Sequence, residues 1–108
     1  MASVFEVLDK IRNRPGMYVG GDESQRAMQL QNLEQLLCGY SLALRHHRIQ
    51  ERVADFAHEF GAYLREAKGW SVSCGPIAAI SEAATSDEEA WESFWRLVDE
   101  FRATVDVP

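Results

Sequence analysis

Arg12-Asn13-Arg14-Pro15-Gly16-Met17-Tyr18-Val19-Gly20-Gly21 is the stretch that sets the layout of this 108-residue chain. A short amphipathic run leads into it and a long one leads out. Pro15 has no amide proton and disfavours helical backbone at the residue before it, so a helix arriving from residue 4 ends here. Pro-Gly suits the two central positions of a type II turn, where proline presets the first φ and glycine supplies the positive second one. Met17, Tyr18 and Val19 then read as a three-residue apolar plug, and Gly20-Gly21 release the chain into the next helix. As a structural motif, Arg14, Pro15, Gly16, Met17, Tyr18 and Gly20 make an inter-helix joint whose tyrosine packs on the core. The competing reading is a loop that meets a ligand or partner.

Upstream, Ser3 followed by Glu6 is a capping-box pattern, and Val4, Val7, Leu8 and Ile11 recur at helical spacing over residues 4–13. Downstream, a helix from about Ser24 to Arg48 carries Leu30, Leu33, Leu36, Leu37, Tyr40 and Leu44 on one stripe, with Asp22 or Ser24 as its cap. Its far side (Met28, Gln31, Gln35, Cys38, Gly39, Leu42) is weakly polar, so it reads as covered within the fold or facing a second subunit. Gly39 weakens a helix interior and marks close approach by another backbone.

A third helix is predicted over 50–67 from Val53, Phe56, Ala57, Phe60, Leu64 and Ala67, stopped by Lys68-Gly69. A polar turn near Arg48–Glu51 joins it to the second helix as an antiparallel hairpin. Trp70 to Cys74 alternates like a strand but has no partner strand, so it reads as an extended connector packed by Trp70 and Val72. Pro76 opens a short helix. A last helix starts at the capping pair Ser86 and Glu89 and continues to about Ala103. Ala90, Phe94, Leu97, Val98 and Phe101 share its apolar side. Trp91 and Trp95 fall at the edge of that stripe beside Glu88, Glu92 and Asp99, an arrangement that resembles an interface hot spot. The plainer reading is a solvated acidic face.

Bulk properties limit the function. A chain of this length with 46% hydrophobic residues builds one core and is not a disordered tail. No apolar run approaches membrane-spanning length, and the opening MASVFE lacks the basic and apolar regions of a secretory signal. Cys38 and Cys74 read as reduced thiols, one packed and one near a loop. Adjacent His46 and His47 point apart on a helix, and no metal spacing or cofactor motif occurs. Ser71, Ser73 and Cys74 have no general base at a recognisable spacing. Net charge is −6, and residues 1–68 balance at nine acids and nine bases. Residues 69–108 set eight acids against Arg96 and Arg102 alone. The excess therefore sits in the last forty residues, which argues against nucleic acid and suits a basic protein partner.

The string RPGMYVG after a short helix resembles the opening of the ATPase domain of gyrase B-type topoisomerases. That activity requires an acidic-Asn pair and an Asp-Gly-x-Gly loop. Gln31, Asn32, Glu34 and Gln35 do not supply the pair, and the loop is missing, so nucleotide hydrolysis is rejected. A second resemblance spans nearly the whole chain. The Arg-x-Arg-Pro-x-Met-Tyr-hydrophobic-Gly segment, Gly39-Tyr40 inside a long helix and the acidic Asp87 to Ala90 opening of the last helix are similar to small bacterial immunity proteins encoded beside polymorphic or contact-dependent toxins.

The expectations are these. The fold is a single compact all-α domain of four to five helices, antiparallel and bundle-like, over residues 1–108. The resemblance implies a cytoplasmic, non-enzymatic immunity protein that occludes the active or substrate site of a cognate toxin, with no cofactor. Glu88, Trp91, Glu92, Trp95 and Asp99 are the expected partner-binding residues. The alternative is a homodimeric regulatory or adaptor module, and a small hydrolase reversing a toxin's modification ranks behind both.

Overall fold

The computed structural model describes residues 3–106, so Met1 and Ala2 of the opening MASVFE lie outside it. All regular structure among the described residues is helical, in six α-helices and one 3-10 turn, without a strand. Contacts gather into two units, Met1–Phe56 and Ala57–Pro108. No described helix is long and apolar enough to cross a membrane.

In the first unit, α1 (Val4–Asn13) buries Val4, Phe5, Leu8 and Ile11, as its periodicity predicts. The Ser3 side chain does not cap it; the Ser3 carbonyl accepts from the Glu6 amide at 3.1 Å instead. The type II turn is replaced by a single helical turn, α2 (Pro15–Val19). Proline is preorganised for the first helical position, and the Met17 amide donates to the Arg14 carbonyl at 3.1 Å. Positive φ falls on Gly20 (75°) and Gly21 (66°) rather than on Gly16. The helical turn also breaks up the expected plug. Successive side chains diverge by about 100°, so Val19 is buried while Met17 and Tyr18 remain 71% and 41% exposed. The tyrosine does not pack on the core.

The Asp22 carboxylate accepts from the Ser24 hydroxyl (2.6 Å) and amide (2.9 Å), capping the 3-10 turn Glu23–Gln25. Those two bonds hold its pKa below the ordinary aspartate value. There follows α3 (Arg26–His46), which buries Leu30, Leu33, Leu37 and Leu44, with Leu36 and Tyr40 half-buried. Its opposite side is exposed at Gln31, Gln35, Cys38, Gly39 and Leu42. Cys38 is therefore not packed; both cysteines are free and exposed.

The short turn after α3 is in fact an irregular connector, residues 47–55, and α4 (Phe56–Lys68) starts six residues later than the expected 50. Arg48 takes a positive φ of 55°, which ends the helix, and the Glu51 carboxylate is drawn to the Tyr40 hydroxyl. Val53, expected on the helical stripe, is buried from this connector.

In the second unit, α4 buries Phe60 and Leu64 and stops at Gly69, φ 72°. The connector 69–75 forms no strand and has Trp70 and Val72 half-buried. Helix α5 (Pro76–Ala83) begins at its proline, buries Ile77, Ala79 and Ile80, and packs on α6 (Asp87–Val105). Ser86 caps α6 by accepting from the Glu89 amide at 3.1 Å. Edge-to-face rings fill the interior: Phe60 to Phe94 at 5.9 Å and Phe94 to Trp95 at 4.9 Å.

Candidate functional site

Advancing about 100° per residue, α6 turns Glu88, Glu92 and Asp99 onto one line, and all three are exposed. Glu89, Arg96 and Glu100 widen that line into an arc on one side, and Arg102, 3.9 Å from Asp106, borders it on the other. Glu100 is partly committed within the unit. It accepts from the Tyr63 hydroxyl at 3.3 Å and lies 3.8 Å from the Lys68 ammonium and 4.0 Å from Arg96. Burial first, and then the Glu100 charge, push the Tyr63 hydroxyl above its ordinary pKa.

Beside this arc, α4 and α6 frame a groove of about 630 Å³ lined by His58, Glu59, Tyr63, Glu66, Phe101 and Thr104 among others. Carboxylates around aromatic rings suit an arginine or lysine side chain, by charge-assisted hydrogen bonds and by stacking. Sequence reasoning missed the groove because its two walls come from helices about forty residues apart.

The two tryptophans expected at this surface are elsewhere. Trp91 and Trp95 are 6% and 5% exposed, and their rings meet at 5.6 Å. Each indole is large enough to reach the apolar interior from the stripe's edge, and burying it outweighs any gain from holding it in water. They are core residues.

The Arg14–Gly20 motif lies in the other unit and is clamped to α3. The Asn32 side-chain amide donates to the Val19 carbonyl and that of Gln29 to the Gly20 carbonyl, both at 2.8 Å. Gln29 is itself buried and accepts from the Arg26 guanidinium at 2.8 Å. Sequence reading singled out neither amide as a clamp. Their signal was present in two amides three residues apart on a leucine-rich helix. Arg14, Gly16, Met17 and Tyr18 are left exposed.

Among the described residues no group of three or more His, Cys, Asp or Glu is placed to hold a metal ion. The rings of His46 and His47 stand edge to face, 5.0 Å apart. No protein-family model matches this chain, and neither a curated protein nor a solved structure shows significant similarity to it.

Proposed function

We propose that this chain is a cytoplasmic immunity protein that binds a cognate bacterial toxin and occludes its active or substrate site. The exposed acidic arc of Glu88, Glu92 and Asp99 beside the Tyr63–Phe101 groove carries this reading. A toxin that handles an anionic substrate presents basic groups at its site, and rigid helical carboxylates compete for them. No reaction by this chain is required, and no cofactor. The single-domain, bundle-like packing suggested by the sequence belongs to the same proposal.

Co-expression with the product of the neighbouring gene tests it. A tight one-to-one complex that abolishes toxicity is the expected result. A neighbouring gene that encodes no toxin, together with growth protection from none of the toxins tested, removes the reading.

A regulatory or adaptor module acting as a homodimer is the second reading, favoured by the exposed, uncharged side of α3. In co-purification it gives a stable homodimer and no toxin.

A further inference from the structure

We infer that a second copy of this chain docks antiparallel across the exposed side of α3. The inference rests on residues 17–49 and stands apart from the toxin-binding reading, which uses α6.

Opposite the buried Leu33, Leu37 and Leu44, the helical advance lines up Met28, Gln31, Gln35, Gly39, Leu42 and His46. This line runs about 27 Å at 1.5 Å per residue without one Asp, Glu, Lys or Arg. The solvent arc of α6 shows what an ordinary wet helix in this protein looks like, with six charged residues between Glu88 and Glu100, about 18 Å. Gly39 adds to the contrast. A Cβ built there meets nothing within 4 Å, so no described neighbour accounts for a glycine in mid-helix. A side chain of a second helix seated in the gap does.

The described residues include four exposed large hydrophobics, Met17, Tyr18, Leu42 (58%) and Ile49 (52%). All belong to α2, α3 or the residues just after α3. Helix α2 is held alongside α3 at the level of Gln29 and Asn32 by the two amide clamps. The apolar groups therefore lie at both ends of one uncharged line.

Charge sets the orientation. Exposed Asp22 and Glu23 precede α3, and exposed Arg45, His46, His47 and Arg48 close it. A parallel pair stacks like on like. An antiparallel pair sets each acidic end against the other copy's basic end and opposes the helix dipoles favourably. With the two-fold axis at Gln35, Glu23 comes level with His47 of the second copy, Asp22 with Arg48, Met28 with Leu42, and Gln31 with the gap at Gly39. Met17 and Tyr18 come level with residues 38–41, next to Leu42. Such a contact is self-complementary, as a two-fold interface must be. A contact confined to one helix and α2 belongs with small, reversible interfaces, and a dissociation constant on the order of micromolar is expected.

Analytical ultracentrifugation of the full chain, from about 1 to 500 µM, reads the proposal. A reversible monomer–dimer equilibrium is expected. Leu42→Glu weakens it by about tenfold or more, because a charge is placed in each half of the contact. Glu23→Lys and His47→Glu each weaken it by about five- to tenfold, and an equimolar mixture of the two recovers most of the loss, since the two reversed charges then face each other. Circular dichroism confirms that each variant is folded. The register has its own test, made with both native cysteines replaced by serine. Gln35→Cys then gives a disulfide-linked dimer on mild oxidation. With Cys38 kept and Gln35 intact no link forms, because the two thiols sit about 9 Å apart along the axis. A monomer at every concentration overturns the inference, as does a dimer indifferent to Leu42→Glu. A monomer whose α3 face is covered by a toxin overturns it as well.

Discussion

The Tyr40 hydroxyl lies 2.8 and 2.7 Å from the two carboxylate oxygens of Glu51, tying the connector after α3 back to the middle of that helix. This bond fixes the path of residues 47–55, which hold no regular structure of their own. Tyr40→Phe keeps the ring and removes the donor. A loss of about 1–2 kcal/mol is expected in denaturant unfolding, as for a hydrogen bond to a charged acceptor. Burial, followed by the Glu51 carboxylate, raises the Tyr40 pKa above its ordinary value. Below pH about 10 both folded and unfolded chains keep the proton, and the contribution is whole. As pH climbs beyond that point the unfolded chain ionises first, so stability falls towards the folded pKa. Tyr40→Phe flattens part of this alkaline decline. Tyr63, whose shift has the same sign, adds to the decline.

Substitutions in α2 separate its structural from its exposed residues. Tyr18→Ala shifts stability by about 0.5–1 kcal/mol, since the ring is 41% exposed and lies outside the buried core. Val19→Ala costs more, about 1–3 kcal/mol, by emptying a buried site. Gly20→Ala carries the strain of a backbone at φ 75° and ψ 179°, a region essentially confined to glycine, about 1–3 kcal/mol. At Gly21, φ 66°, an added Cβ also falls 2.6 Å from the Met28 methyl and 2.9 Å from the Gln25 side-chain oxygen, flexible ends that move aside, so backbone strain sets its cost as well. Thermal melts in which both glycine variants lose stability, and which rank Val19→Ala below Tyr18→Ala, support this reading. A large loss for Tyr18→Ala contradicts it.

Periodicity made α1, α3 and α6 legible, because Leu8 and Ile11, Leu33 and Leu37, or Phe94 and Leu97, mark faces that recur over several turns. Short segments were decided by local competition instead. Pro15-Gly16 satisfies a turn or the start of a helix equally well; Gly16 does not take the positive φ of a type II turn, and the segment runs on as helix to Val19. Val53 carried the helical period, yet the Glu51–Tyr40 bond and the positive φ of Arg48 hold its segment out of α4. At the candidate site the acids of α6 were readable from charge alone. The groove was not, because Tyr63 and Phe101 meet only in three dimensions. The tryptophans misled for a related reason: helical angle places a Cα, while an indole at the stripe's edge can still turn inward.

Trp95→Ala is accordingly a stability variant. Its ring meets Phe94 at 4.9 Å and Trp91 at 5.6 Å, and removing it leaves a cavity the helix cannot close. The expected loss is about 3–5 kcal/mol, a large share of a small domain's stability. Trp95→Phe retains most of the packing and costs less. Fluorescence and calorimetric melts check the order. An unchanged melting temperature for Trp95→Ala removes the indole from the core.

Neutralising Glu88→Gln, Glu92→Gln and Asp99→Asn together leaves the fold nearly intact, because all three side chains are exposed and off the buried stripe. Glu88 lies in the first turn of α6, where a carboxylate gains about 0.3–1 kcal/mol from the helix dipole, and that is the scale of the expected loss. Glu100 is left in place because it holds Tyr63 and Lys68. The effect on a basic partner is larger and kinetic. Like-signed carboxylates on one face steer an oppositely charged surface over roughly the Debye length, about 8–10 Å near physiological salt. Removing three of them slows association by about tenfold at low ionic strength and flattens its dependence on salt, while dissociation changes less. Stopped-flow mixing with the cognate toxin at several salt concentrations reads both rates. If the triple variant associates like the parent and still protects cells, steering does not come from α6, and any toxin site lies on the α2–α3 face.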